Sequence, residues 1–405
     1  YKRQVGGPLA ATALDAVPHL DITDPNFAIK SAAVHAARER SWYARTNYGL
    51  AVLRYEEVSR LIKHPKLRQG SAAWPAHNGV TEGPFADWFA GWILNKEGEE
   101  HHRLRRLMNP AFSPKLIAGL VPRFQALATE LVDGFREPGR CEFVSEFAEP
   151  YAARVIALML GIPESEWPVI ARESATIGLA MGVTLRQDLP KIEAALANLY
   201  AYADALIADR RRAERDDFVS ALVRAHRDAD SLTDRELRDG LVLLIFGGFD
   251  TTRNQLGLAM QTFTRHPDQW RLLAERPELG GAAVEEVMRV NPTVTWVTRE
   301  AREDFTFQGL DIGAGTTVHL FSESAGTDPR VFGEPSFDIT AERRPHFGFG
   351  GGAHHCLGHF VARGDMSEAL PLLARRMRDP RIDEGAEWLP DSGNTGPVRL
   401  PITFT

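Results

Sequence analysis

Cysteine is scarce in this chain. Cys141 and Cys356 are the only two in 405 residues and lie far apart. That is too few for a disulfide framework and favours a reducing compartment, so each thiol must be explained by its own surroundings. Long apolar runs are also missing: no uncharged stretch reaches the roughly 18 residues that cross a bilayer. The opening Tyr1-Lys2-Arg3-Gln4 leads into Gly, Pro and Ala instead of a signal-peptide core. The expectation is a soluble, cytoplasmic chain with no membrane partner. A basic excess is lacking too. Asp and Glu total 54 against 47 Lys and Arg, a formal charge of −7, which argues against a nucleic-acid binder. No Gly/Ser- or Pro-rich linker, internal repeat or low-complexity segment divides the sequence, so residues 1–405 read as one domain. A dinucleotide fingerprint, a flavin motif and an iron–sulfur cysteine cluster are all missing, so no reductase is built in.

What the sequence does contain is helical periodicity. Residues 113–137 place Leu116, Ile117, Leu120, Val121, Phe124, Leu127, Leu131 and Val132 three and four apart. Similar patterns run through 147–161, 190–212 and 357–377. The longest candidate, about 233–264, opens with Thr233 and Glu236 in capping-box spacing; at about 1.5 Å per residue it is close to 50 Å long. Strand signals are fewer. Leu50 to Tyr55 reads as one strand, and 304–309 with 316–321 as an antiparallel pair around a Gly-rich turn. Residues 323–355 read as irregular, and so long an irregular stretch in a packed domain is usually functional. The fold class is mainly α with minor β.

The sharpest chemical feature is Phe347-Gly348-Phe349-Gly350-Gly351-Gly352-Ala353-His354-His355-Cys356-Leu357-Gly358, followed at once by a helical pattern. A cysteine at the start of a helix sits where the dipole and orphan N–H groups favour a thiolate. Glycines before it let the backbone close around the sulfur. Gly358 removes a side chain where the helix would pass close to a flat ligand. A buried structural cysteine would explain the residue but not its glycines and histidines. A zinc site from His354, His355, Cys356 and His359 is the stronger rival, although adjacent side chains point apart and closed zinc sites draw on separated pairs.

The segment resembles the cysteine-loop signature of the cytochrome P-450 family, with Phe349, Gly352, His354, Cys356 and Gly358 at the family's spacing. The resemblance implies the triangular helical prism of that family. In it, haem b lies between the long helix and the helix after the cysteine loop, with Cys356 as axial iron ligand. Thiolate ligation that favours O–O cleavage is a property of the family, not a deduction from this sequence.

Three further segments match in the family's order. Gly247-Gly248-Phe249-Asp250-Thr251-Thr252 lies in the long helix after a Leu-Val-Leu-Leu-Ile-Phe run. Mid-helix glycines cost about 1 kcal/mol each relative to Ala, and a flat cofactor against the helix, at Gly248, supplies a reason for them. Asp250 and Thr251 set an acid beside an alcohol, suited to relaying protons to bound dioxygen. Glu286-Val287-Met288-Arg289 is an ExxR whose pair, three apart on one helix face, is implied to tie the helix to a segment around Phe337 to Arg343. In Glu100-His101-His102-Arg103-Leu104-Arg105-Arg106-Leu107, His101 and Arg105 lie four apart as a cationic clamp. By resemblance His101, Arg105, Arg299 and His354 hold the haem propionates.

The implied activity is that of a monooxygenase that takes electrons from a separate ferredoxin-type donor with its reductase and inserts one oxygen atom into a small molecule. Arg103, Arg106, Lys115, Arg343 and Arg344 are candidates for a basic docking patch. Trp74, Phe85, Trp88, Phe89 and Trp92 read either as a pocket wall or as core. Leu243 to Gly248, Val294 to Val297 and Gly393-Asn394-Thr395 are further lining candidates, and their neutrality points to an apolar substrate. The rivals are a peroxide-driven peroxygenase and a haem-binding sensor or carrier; neither needs the acid–alcohol pair. One departure from the family pattern is Asp365, after Gly364, where many members carry a glutamate.

Overall fold

The long helix runs Asp234–Thr264 and forms the axis of the molecule. Thr233 Oγ1 accepts from the Glu236 backbone N–H at 3.1 Å, and Glu236 Oε2 accepts from the Thr233 N–H at 2.8 Å. The expected capping box is therefore complete, and it satisfies two donors that the first turn leaves orphaned. From Leu237 to Phe263 most of the helix is buried. Helices Glu149–Leu160, Trp167–Gly178 and Leu185–Arg212 pack around it. The computed structural model describes residues 17–24, 26–135, 137–182, 184–225, 232–333, 337–391 and 393–405. The expectation drawn from Tyr1 to Gln4 lies outside them.

The other periodic segments are helices with shifted ends. Pro114–Asp133 starts on Ser113, whose Oγ accepts from Leu116 N–H at 3.4 Å, and stops at Gly134. Glu149–Leu160 follows a π turn at Val144–Ala148 and ends on the left-handed Gly161, φ 72°. The helix expected from 190 begins at Leu185 and carries Pro190 within it. A proline near a helix start removes only one backbone bond, so the helix can begin before it. The helix after the cysteine loop is His359–Arg376, packed against Pro114–Asp133 and Gly280–Val290.

The strands correct the sequence reading more than the helices do. The expected pair of 304–309 with 316–321 does not form. Phe305–Phe307 instead turns back at once onto Leu310–Ile312, with Phe307 opposite Leu310 and positive φ at Gln308 and Gly309. Thr317–Phe321 sits inside a six-stranded mixed sheet, parallel to Gly49–Val52 and antiparallel to Trp296–Ala301. Tyr55, expected to end a strand, starts the helix Tyr55–Leu61. Residues 323–355, read as irregular, also hold the short helices Ser322–Gly326 and Pro329–Phe332. One large apolar cluster surrounds the long helix, and two smaller ones pack on the sheet. Among the described residues no helix is long and apolar enough to cross a membrane.

Candidate active site

The cysteine loop closes on itself through its backbone. Gly350 N–H donates to Phe347 O at 2.8 Å, His355 N–H to Gly352 O at 3.2 Å, and Cys356 N–H to Phe349 O at 2.9 Å. Gly350 and Gly352 take φ of 68° and 71°, a region that side chains rarely adopt. A Cβ on Gly351 would lie 2.9 Å from Ile62 Cδ1, so this part of the loop is pressed against the helix Tyr55–Leu61 and its end. Cys356 therefore stands at the end of a clasped loop, just before Gly358 caps the helix, and not within the first helical turn. Burial pushes its thiol up, while the Gly358 N–H and the cations Arg105 and Arg363 pull it down. Phe349 is buried, with the Arg363 guanidinium 4.5 Å over its ring. Arg363 in turn reaches Glu285 at 2.5 and 3.2 Å.

Beneath this loop the ExxR pair is fully formed. Arg289 donates to both oxygens of Glu286, at 2.7 and 2.6 Å, and to Gly326 O at 2.6 Å. Glu286 Oε1 also accepts from Asp338 N–H at 3.1 Å and Arg343 at 3.2 Å. Both members are about 2% exposed or less. Burial of such a pair is tolerable only when further hydrogen bonds satisfy it, and Gly326 O, Asp338 N–H and Arg343 supply them.

The four residues expected to hold propionates gather in one place, with Arg105 close to both His101 and His354. The rings of His101 and His354 lie 4.2 Å apart. His354 Nε2 donates to Glu97 Oε1 at 3.2 Å, and its Nδ1 has no partner among the described residues. Arg299 donates to Gln69 Oε1 at 2.5 Å and to Gly351 O at 3.1 Å. Burial, then the positive neighbours His354 and Arg105, brings His101 down to about 4, and burial brings Arg299 down to about 10. Cations so destabilised favour an incoming anion. Arg105 also donates from its guanidinium to His355 O at 2.9 Å and so braces the cysteine loop. Glu97, which the sequence reading missed, is the carboxylate among these cations. Its signal was an acid four residues before His101.

On the long helix Thr251 Oγ1 donates to Gly247 O at 2.8 Å. Asp250 is 2% exposed; its Oδ2 accepts from Asn394 Nδ2 at 2.7 Å and Asn254 Nδ2 at 3.2 Å, and Arg253 lies 3.6 Å from Oδ1. Burial pushes this carboxyl up, against the pull of Arg253, Asn394 and Asn254. The glycines exchange the roles expected of them. A Cβ on Gly248 would lie 2.5 Å from Ile156 Cδ1, so this glycine serves helix packing, whereas Gly247 opens onto space with nothing within 4 Å. Of the two, Gly247 and not Gly248 is the glycine with open space beside it. Gly358 is open in the same way.

The aromatic segment is mostly core. Phe85, Trp88, Phe89 and Trp92 are core, yet Trp92 lies 5.9 Å from Phe246, next to Gly247, and its indole N–H has no partner among the described residues. A cavity of about 830 Å³ lies elsewhere, at the start of the long helix, and is lined by Trp88, Tyr200, Asp204, Asp234 and Asp239 among others. Arg211, Arg235 and Arg238 line it as well and pair with Asp234, Asp239 and Asp204. The basic patch is not assembled as expected: Arg103 pairs with Glu236, Arg343 with Glu286 and Arg344 with Glu56. The zinc alternative does not form, since no cluster of three or more His, Cys, Asp or Glu among the described residues could hold a metal ion.

These residues fit a flat, dianionic, iron-bearing ligand: open glycine faces, an orphaned His354 nitrogen, buried cations and a lone thiol. The helical fold with this site defines an oxygen-incorporating oxidoreductase. A family model described as Cytochrome P450 matches residues 269–378. The chain is 39% identical over 392 residues to a luteothin monooxygenase of Streptomyces thioluteus, covering 96% of each. It is 33% identical over 362 residues to a mycinamicin IV hydroxylase/epoxidase of Micromonospora griseorubida, covering 87% of this chain and 89% of that one. The crystal structure of P450BioI in complex with hexadec-9Z-enoic acid ligated acyl carrier protein superposes with a TM-score of 0.84 at 28% identity, covering 92% of this chain and 97% of that one. The chain belongs to the cytochrome P450 family. It is a monooxygenase, and membership implies haem iron with thiolate ligation.

Proposed function

We propose that this protein binds haem b through Cys356, takes electrons from a ferredoxin-type donor with its reductase, and hydroxylates or epoxidises an apolar small molecule. The observation that carries the reading is the clasped loop that ends on Cys356 and is braced by Arg105 and the buried Glu286–Arg289 pair. When bound, the haem supplies reductive activation of dioxygen. Cys356 holds the iron from the loop side; Phe349, with Arg363 over its ring, shields the sulfur from water. Gly247 and Gly358 give the flat ligand room on the two helices. His101, Arg105, Arg299 and His354 would hold the propionates, with Glu97 beside them at His354. Thr251 passes a proton towards the oxygen side, and Asp250 resupplies it after turning from Asn394. Phe246, Trp92 and the segment Val294 to Val297 line the substrate space.

The whole chain acts as one domain, in the cytoplasm. A relative that is named a hydroxylase/epoxidase supports the two reaction outcomes. Lys115, with the exposed Leu116 and Phe360, takes the place of the expected arginine patch as the electron-donor face.

The test is spectroscopic and then kinetic. The reduced carbonyl complex should absorb far to the red of a histidine-ligated haem. Compounds that displace iron-bound water, found by their Soret shift, should be oxygenated with reduced ferredoxin and not by the haem protein alone. Stoichiometric zinc without haem would sink the reading. Product formed with peroxide but not with ferredoxin would make the protein a peroxygenase.

A further inference from the structure

The carboxy-terminal turn is pressed against the long helix beside Asp250. A Cβ on Gly396 would lie 2.5 Å from Asn254 Cβ, and one on Gly257 would lie 2.2 Å from Pro397 Cγ. Glycine on both sides therefore permits an approach that alanine would block. At this contact Asn394, 9% exposed, reaches in two directions. Its Oδ1 accepts from Thr293 Oγ1 at 2.8 Å, and its Nδ2 donates to Asp250 Oδ2 at 2.7 Å. Thr395 N–H donates to Thr293 O at 2.9 Å, and Val294 and Asn394 form an isolated β-bridge. The amide is thus held by backbone from two segments and aimed at one carboxylate.

We infer that Asn394 is a positioning residue for Asp250: its amide N–H holds the carboxylate turned to the carboxy-terminal turn, and displacement of that turn releases the acid towards Thr251. The inference rests on the proton-relay reading of Asp250 and adds the element that governs it. Among the described residues, the groups that face Asp250 come from its own helix, one neighbouring helix and the turn. Arg253 and Asn254 come from its own helix, and Glu149, from the neighbouring helix, reaches Arg253 at 4.0 Å. The helix Trp167–Gly178 presents Gly178, where a Cβ would lie 2.7 Å from Asp250 Oδ1 and leave the carboxylate no room. Asn394 is the contact from the turn. Thr251, meanwhile, is bonded to its own helix at Gly247 O, so the acid and the alcohol are held apart. Because Val294 pairs with Asn394, a substrate that presses on residues 294–297 acts on the same amide.

Asn394→Asp is the cleanest probe. It keeps the size and the oxygen that Thr293 uses, and replaces the N–H donor with a second carboxylate oxygen. Two carboxyls in one site cannot both ionise easily, so Asp250 should hold its proton to higher pH, by on the order of one unit. Asn394→Ala removes the donor without adding charge and should move it in the same direction by less. The readout is infrared titration of the protonated carboxyl band in the ferric holoenzyme, assigned by its loss in Asp250→Asn. A companion measurement follows substrate-free oxygen consumption against pH, driven by a surrogate ferredoxin and its reductase. Both variants should shift the band and the consumption profile together, and in the double variant Asp250→Asn with Asn394→Asp neither shift should remain. A band that stays at its wild-type position, or is missing from every variant, overturns the role of Asn394. A band that moves while Asp250→Asn leaves the consumption profile unchanged overturns the relay reading instead, so the two failures are distinct.

Discussion

On the cysteine side, the polar groups around the loop are tied to backbone or to a buried ion pair; on the long-helix side, the acid and alcohol proposed as a relay are bonded away from each other, to side chains and to one helix carbonyl. Cys356, Phe349 and Gly350 sit in a loop closed by three backbone bonds, with Glu286–Arg289 and Arg105 behind it. Asp250 faces away to Asn394, and Thr251 is bonded to a carbonyl of its own helix. An axial ligand must keep one geometry, so its loop is over-determined. A relay acid has to change partners, and among the described residues Asp250 is held by the side chains of Asn394, Asn254 and Arg253 alone. The cost of each arrangement falls where it should: left-handed glycines in the rigid loop, and a desolvated carboxyl on the long-helix side.

The comparison breaks most severely at the rigid side. Cys356→Ala should abolish the far-red carbonyl spectrum and all oxygen insertion. Glu286→Ala should cost about 3–5 kcal/mol, because it leaves Arg289 buried and unpaired; denaturant unfolding of the haem-free protein checks this apart from cofactor loss. A cost near zero would mean that the pair does not support the loop.

The long-helix side should fail more gently and in its chemistry only. Asp250→Asn should slow turnover by about 100-fold with the haem spectrum unchanged, a magnitude typical of a lost general acid. Thr251→Ala should still bind haem and should release hydrogen peroxide instead of product. Equal product per electron in wild type and Thr251→Ala would remove that residue from the relay.

The glycine pair sharpens the contrast further. Gly248→Ala should destabilise by about 1–3 kcal/mol through overpacking against Ile156. Gly247→Ala should leave the apoprotein at least as stable, by up to about 1 kcal/mol of helix propensity, while weakening haem retention. Thermal melts with and without haem separate the two; the reverse ranking would return the cofactor-facing role to Gly248.

The smallest effect is expected at Glu285, which steadies Arg363. Burial alone would push its carboxyl up, but hydrogen bonds with His346 and Arg363 outweigh this and hold it at about 2, below its ordinary 4.5. A depressed carboxyl contributes stability that is complete above the ordinary value and is lost as pH falls through the folded one. Glu285→Gln should therefore cost about 1 kcal/mol or less at neutral pH, with the difference closing between about pH 4.5 and 2. A gap that widens in acid would contradict the assignment.

Much of the architecture was legible because its causes are local. The capping box at Thr233, the apolar spacing of 113–137 and the ExxR at 286–289 each depend on residues within a few positions of one another; the box and the pair formed as read, and the helix formed over Pro114–Asp133. The strands were less legible. Thr317–Phe321 pairs with Gly49–Val52, so nothing near 317 in the chain announces its neighbour. The basic patch failed for the same reason: Glu236, Glu56 and Glu286 neutralise Arg103, Arg344 and Arg343 from other elements.

For the site, the sequence by itself determined the kinds of chemistry present. A single thiol after glycines, an acid beside an alcohol, and histidines and arginines near helix starts are properties of residue type and spacing. Tertiary structure decided which of these groups meet. Gly247 and Gly248 are adjacent and identical in the chain, and only Ile156, brought in by another helix, makes one a packing contact and leaves the other open. His101 and Arg105 share a helix face, yet the loop's path sends Arg105 to His355 O while His101 joins His354. Side-chain direction in a helix follows from its period, but what waits in that direction is set by chain segments hundreds of residues away.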